Sequence, residues 1–186
     1  VRSSAANTLK WDATLNNGEF VDFYTQSLSG EPVDHHVISA TTSTGGTTTA
    51  NSLIDIELPV GARLVIRTTN SPIVIDSITV ASASLTTSDG KISVVNSSGD
   101  FDLNTSNSEV TVQGVIGQVN VATTNAHVWF DGIVSDGTNS ISTTNGDIAV
   151  RLRNGSSVTV SGSTHNGDVT VNAGKDGVLK DDDTAT

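Results

Sequence analysis

The chain has 186 residues, neither cysteine nor methionine, and nine Lys and Arg against twenty Asp and Glu, a formal charge of −11. That balance argues against nucleic acid as a partner, because phosphate binding needs a basic footprint. The lack of cysteine excludes a disulfide framework and a thiolate metal site, and no run approaches the roughly 18 apolar residues of a membrane span. Without methionine, Val1 is no natural initiator, so a mature form that has lost a signal sequence is expected, outside the cell or on its surface.

The first 52 residues carry no repeat. Leu9–Leu15 and Glu19–Tyr24 flank Asn16-Asn17-Gly18, which predicts a hairpin. That segment holds Trp11, Phe20, Phe23 and Tyr24, four of the seven aromatics of the chain. It reads either as a cap on the first repeat or as a strand that inserts into a second copy, which makes these four residues candidate partner contacts. His35-His36 after Asp34 is a poor metal site on its own. Residues 41–50 are low-complexity Thr and Gly and read as a linker.

From residue 53 to 174 one phrase governs the chain. It begins as Thr68-Thr69-Asn70-Ser71-Pro72-Ile73 and returns five times. Its Asn or Asp falls at Asn70, Asp89, Asn107, Asn125, Asn145 and Asn166, at spacings of 19, 18, 18, 20 and 21. A fixed period near 20 is the mark of a solenoid. Apolar residues stand four before each of these positions, from Ile66 through Ile141, with Gly162 the exception. They stand again three and five after it, from Ile73 and Ile75 to Val169 and Val171. Both arms alternate with period two and read as half-buried strands. The residue after each Asn or Asp is Ser, Gly or Ala, which suits a corner of positive φ or of close backbone approach. The opening Thr is expected to pack its methyl inward and cap the corner with its hydroxyl. The six Asn and Asp are expected to stack as a ladder about 4.8 Å apart. Asn-Gly between strands is also a hairpin signal, so an antiparallel meander is the rival; the constant period and parity favour parallel coils. Residues 175–186, with Asp181-Asp182-Asp183, form an acidic tail.

Ile54-Asp55-Ile56-Glu57-Leu58-Pro59, then Leu64 to Asn70, then the repeated Thr-Thr-Asn-Gly-Asp-Ile, resemble the bacterial and archaeal adhesin β-solenoid families of unknown function. The resemblance covers about residues 53–172; Pro72, Lys91 and Ala126 depart from it. It implies a β-solenoid of about six coils and does not extend to the first 52 residues. With these read from their own pattern, the chain is expected to be all-β, a β-solenoid with an N-terminal β-hairpin or strand extension.

Candidate sites follow from the outward positions. Two past each Asn or Asp stand Pro72, Lys91, Glu109, His127, Asp147 and Asp168. Asp147 and Asp168 would be neighbours on adjacent coils and are the calcium candidates, with Asp100, Asp102, Asp131 and Asp136 as further oxygen donors. No other cofactor is expected. Trp129, between inward Val128 and Phe130, should face out as a contact for sugar or protein. Sequons at Asn96, Asn104 and Asn154 matter only in a host that glycosylates. Thr69, Ser88, Ser106, Thr124, Thr144 and His165 form one outward row, too interrupted for a regular ice-binding array. No nucleophile–base or metal-ligand spacing appears. The expectation is a non-catalytic extracellular structural or adhesive protein. It would assemble into a filament or surface layer with other copies of itself by strand addition from the N-terminal segment. The alternative is a monomeric surface adhesin that binds carbohydrate or protein through the solenoid face, followed by a polysaccharide-active enzyme using the Asp147 and Asp168 shelf or an ice-binding protein.

Overall fold

A computed structural model of the chain describes the strands within residues 2–57, then residues 61–156 and 160–173; side chains are placed at 61–156 and 162–172. Every regular element among the described residues is a strand. Five precede the repeats: β1 (Arg2–Ser4), β2 (Thr8–Leu15), β3 (Phe20–Gln26), β4 (Pro32–Ser39) and β5 (Ala50–Glu57).

Each copy of the phrase joins two strands, and successive copies stack in parallel. The strands before the phrase are β6 (Arg63–Thr68), β8 (Thr79–Thr86), β10 (Ser98–Asn104), β12 (Val119–Ala122), β14 (Asn139–Ser142) and β16 (Val160–Ser163). They pair in that order as the first stack. Those after it are β7 (Ile73–Asp76), β9 (Ile92–Val95), β11 (Val110–Gly117), β13 (Val128–Val134), β15 (Ile148–Leu152) and β17 (Val169–Ala173), and they form the second stack. The result is an all-β solenoid of six turns. Parallel pairing disposes of the meander, because hairpins would have made every neighbour antiparallel.

A third, shorter side closes each coil. Register shifts at Gln113/Val115 bend β11, and Gly114 takes φ 68° there. Ser77 and Asn96 adopt φ 57° and 48° at the corners entering this side. Ser98 aligns with Thr79 and Ile116, and Ile116 with Ile133, so these residues form a third outward column.

The core is the seam the alternation predicts. Ile66, Leu85, Leu103, Val121 and Ile141 face Ile73, Ile92, Val110, Val128 and Ile148, all buried. Phe101 and Phe130 fill the seam, and Ile78, Val80, Val115 and Val134 seal the third side. Deletion of one such side chain leaves a cavity between two coils and costs about 2–5 kcal/mol. Among the described residues the seam opens only at the last coil, where Val169 is 39% exposed.

The N-terminal hairpin expected across Asn16-Asn17-Gly18 does not form. β2 pairs antiparallel with β5 along all eight residues and with β1, in a separate three-stranded sheet. β3 instead pairs with β4 and lies antiparallel along β6, the first strand of the solenoid. A local turn signal competes here with the open edge of β6, and covering that row of unpaired backbone groups wins. The segment therefore caps its own first coil. The side chains of Trp11, Phe20, Phe23, Tyr24, His35 and His36 lie outside the described residues, as do the 41–49 linker and the acidic tail.

Candidate functional site

The corner built by the phrase has three layers of bonding. The first is backbone. Thr69 O accepts N–H from both Ser88 and Asp89, at 3.0 and 2.9 Å. Ser88 O accepts from Ser106 and Asn107, Ser106 O from Thr124 and Asn125, and Thr144 O from His165 and Asn166. At four corners one carbonyl thus satisfies two donors that would otherwise be orphaned, and at the fifth Thr124 O accepts from Asn145 N at 2.7 Å.

The second layer is the opening threonine. Thr68, Thr87, Thr105, Thr123 and Thr143 are all buried. Thr87 Oγ1 donates to Thr69 O and accepts from Gly90 N, both at 3.1 Å. Thr143 Oγ1 donates to Ala126 O and Thr164 Oγ1 to Gly146 O, both at 3.0 Å. Thr123 breaks the series: its buried hydroxyl has no partner among the described residues.

The third layer is the amide column. Asn107 Nδ2 donates to Asp89 Oδ1 at 2.7 Å, Asn125 to Asn107 at 2.8 Å, Asn145 to Asn125 at 2.8 Å and Asn166 to Asn145 at 2.7 Å. Each of these four amides points its donor toward the N-terminal end, and Asp89, an acceptor only, receives the one from Asn107.

The small residue after the Asn or Asp was expected to need either positive φ or close approach. None of these positions has positive φ; Ser71, Ser108 and Ala126 keep a Cβ there, and at the three glycines close approach decides it. A Cβ on Gly90 would lie 2.1 Å from Ser71 O, one on Gly146 2.3 Å from Ala126 O, and one on Gly167 2.2 Å from Gly146 O.

Beside the amide column runs a column of charge. Lys91 Nζ lies 3.2 Å from Glu109 Oε2, and Asp147 Oδ2 lies 3.3 Å from His127 Nδ1. A hydrogen bond from the Thr111 hydroxyl, and then Lys91, hold the Glu109 carboxyl below its usual range against opposing burial. His127 Nδ1 also accepts the Asp147 N–H at 2.9 Å. Asp147 Oδ1 accepts the Asp168 N–H at 3.0 Å. The two aspartates are neighbours, as their spacing implies, but Asp147 spends an oxygen on the Asp168 backbone. Among the described residues no three His, Asp or Glu side chains converge as a metal centre.

Asp131 must be removed from the oxygen donors named for calcium. It is 5% exposed, and Arg153 grips both its oxygens, Nε to Oδ1 at 2.7 Å and Nη2 to Oδ2 at 3.1 Å. That fork, with the charges of Arg153 and Arg151, holds its carboxyl below the usual range and raises Arg153. Asp102 accepts from Asn104 Nδ2, and Asp100 and Asp136 are exposed. Trp129 does face out, at 45% exposure.

Two features have no counterpart in the sequence pattern. Arg153 lies 22 residues from Asp131, so only the stacking of coils of unequal length joins them. Asn139, buried, donates Nδ2 to the Ser135 and Gly137 carbonyls and accepts from Val119 N at 2.8 Å. A polar residue at a position of core parity was the available signal.

These parallel coils, cornered by amide, hydroxyl and backbone ladders, define an all-β repeat protein of solenoid class. The chain belongs to the Toastrack DUF4097 family, whose pattern matches residues 47–185. Comparison with curated proteins and with solved structures found no match.

Proposed function

We propose that the chain is a non-catalytic structural and adhesive protein of the extracellular surface, assembling head to tail with other copies of itself. The supporting observation is the disposition of its strand edges. The long sheet runs from β4, which covers the first coil through β3, to β17 at the far end. Among the described residues β4 pairs only with β3, β16 only with β14 and β17 only with β15. Two different open edges on one molecule make a heterologous contact, and such a contact propagates rather than closing on itself. Addition of β4 to the last coil of the next copy would be strand addition by the N-terminal segment.

Negative-stain images and sedimentation across a concentration series test this reading. Linear oligomers are expected at high concentration, and a synthetic peptide of residues 32–39 should terminate them by occupying the far edge. A protein that stays monomeric at every concentration overturns the proposal.

A further inference from the structure

The outer face of the second stack carries a site that assembly does not use. The geometry points to a docking platform for a uronic-acid polysaccharide, centred on Trp129 and Arg151. The inference rests on the adhesive half of the function proposed above and is independent of head-to-tail assembly.

Trp129 stands out from the sheet because its neighbours Val128 and Phe130 turn inward. In register on either side of it are Thr111 and Ala149. Both are short, and Trp129 beside them is 45% exposed. The C–H face of a pyranose packs on such a surface.

Two residues beyond Ala149 on the same strand is Arg151, aligned with Asp131. Asp131 is sunk in the sheet and claimed by the Arg153 fork. Arg151 reaches the same carboxylate only at 3.8 Å, and its side chain is 66% exposed. Two guanidiniums above one buried carboxylate leave a net positive charge at this end of the face, while the exposed carboxylates of Glu109 and Asp147, on the opposite diagonals of Trp129, give the other end the opposite sign and orient an anion toward Arg151. The complement of that charge is an anion, and a guanidinium matches a carboxylate in both plane and donors.

The diagonal from Trp129 to Arg151 spans about 7–8 Å, the reach of a sugar ring and the carboxylate it carries. A uronate brings both groups in one residue. A peptide is less suited, because β13 is paired on both sides, with β11 and β15, and offers no edge for a strand to join.

Titration calorimetry at about 0.15 M salt with oligogalacturonate, its methyl ester and polyglutamate of matched length tests the site. Binding of oligogalacturonate alone is expected. Trp129→Ala should abolish it, Trp129→Phe should retain part of it, and Arg151→Gln should weaken it on the order of tenfold. Lys91→Gln, a cation on another part of the coil, should leave it unchanged. Each of four results overturns the proposal: no uptake of oligogalacturonate, uptake that survives Trp129→Ala in a folded variant, equal uptake of the methyl ester, or equal uptake of polyglutamate. Assembly of the intact protein, read separately by sedimentation, reports on the filament and not on this site.

Discussion

Asn145 donates its side-chain amide to Asn125 across one coil at 2.8 Å, and Asn125 makes the same bond to Asn107. The column therefore has a direction, and each interior member must donate and accept at once. Asn125→Asp keeps the shape but removes the donor and sets oxygen against oxygen. It should cost about 1–2 kcal/mol, read as a fall in the thermal midpoint. Asp89→Asn, where the column needs only an acceptor, should be near neutral. Equal effects at the two positions would mean that the column carries no cooperative bonding.

The seam can be tested by parity. Val112 is fully buried, and its neighbour Gln113 faces solvent. Val112→Asp places an unpaired charge between two coils and should cost more than about 3 kcal/mol. Gln113→Asp should change stability by less than about 0.5 kcal/mol. Urea titrations of the two variants give the comparison directly, and similar midpoints would refute the inward assignment.

The threonines should divide by whether their hydroxyl is used. Thr87 both donates and accepts at its corner. Thr87→Val strands the Gly90 N–H and should destabilise by about 1–3 kcal/mol. Thr123 has a buried hydroxyl without a partner among the described residues, so Thr123→Val should be neutral or stabilising by up to about 1 kcal/mol. A Thr123 variant that loses as much stability as the Thr87 variant would show that its hydroxyl is bonded in solution.

Acid should act through Asp131 and Glu109. Both carboxyls are held below their usual range in the folded chain, Asp131 chiefly by Arg153 and Glu109 chiefly by Thr111. A depressed acid contributes stability above its unfolded value, near 4, and that contribution is lost as pH falls through the folded value. The thermal midpoint should be insensitive to these groups between about pH 7 and 5 and should drop below about 4. Asp131→Asn should lower stability at neutral pH by about 1–2 kcal/mol, given the partial exposure of Arg153, and flatten the acid limb. A variant whose acid limb matches the parent's would remove Asp131 from the cause.

The coils were legible because one period fixes both pattern and neighbour. Ile92 predicts its own burial by parity and predicts Val110 above it by repetition. Beyond the period that power fails. Asn16-Asn17-Gly18 carries a hairpin signal, yet the edge of β6, more than 30 residues away in sequence, takes β3 for itself. The short third side was silent because its corners rest on Ser77 and Asn96, residues that reach positive φ without a glycine to mark them. The Arg153 grip on Asp131 was silent because coils of different length bring together residues that no fixed spacing relates.

The corner also governs how the protein ages. An Asn followed by Gly is the pair most prone to lose ammonia, when the glycine nitrogen attacks the side-chain carbonyl carbon and the resulting ring opens with water. At Asn145-Gly146 the attacking N–H is engaged with Asn166 O at 3.0 Å, and the amide under attack is tied to Asn125 and Asn166. Stacking therefore holds both reactants of that decay apart. A coil that frays releases them together, and the carboxylate so formed has lost the donor that its place in the column requires. Each such event is a one-way step, so wear would advance coil by coil from whichever end opens first.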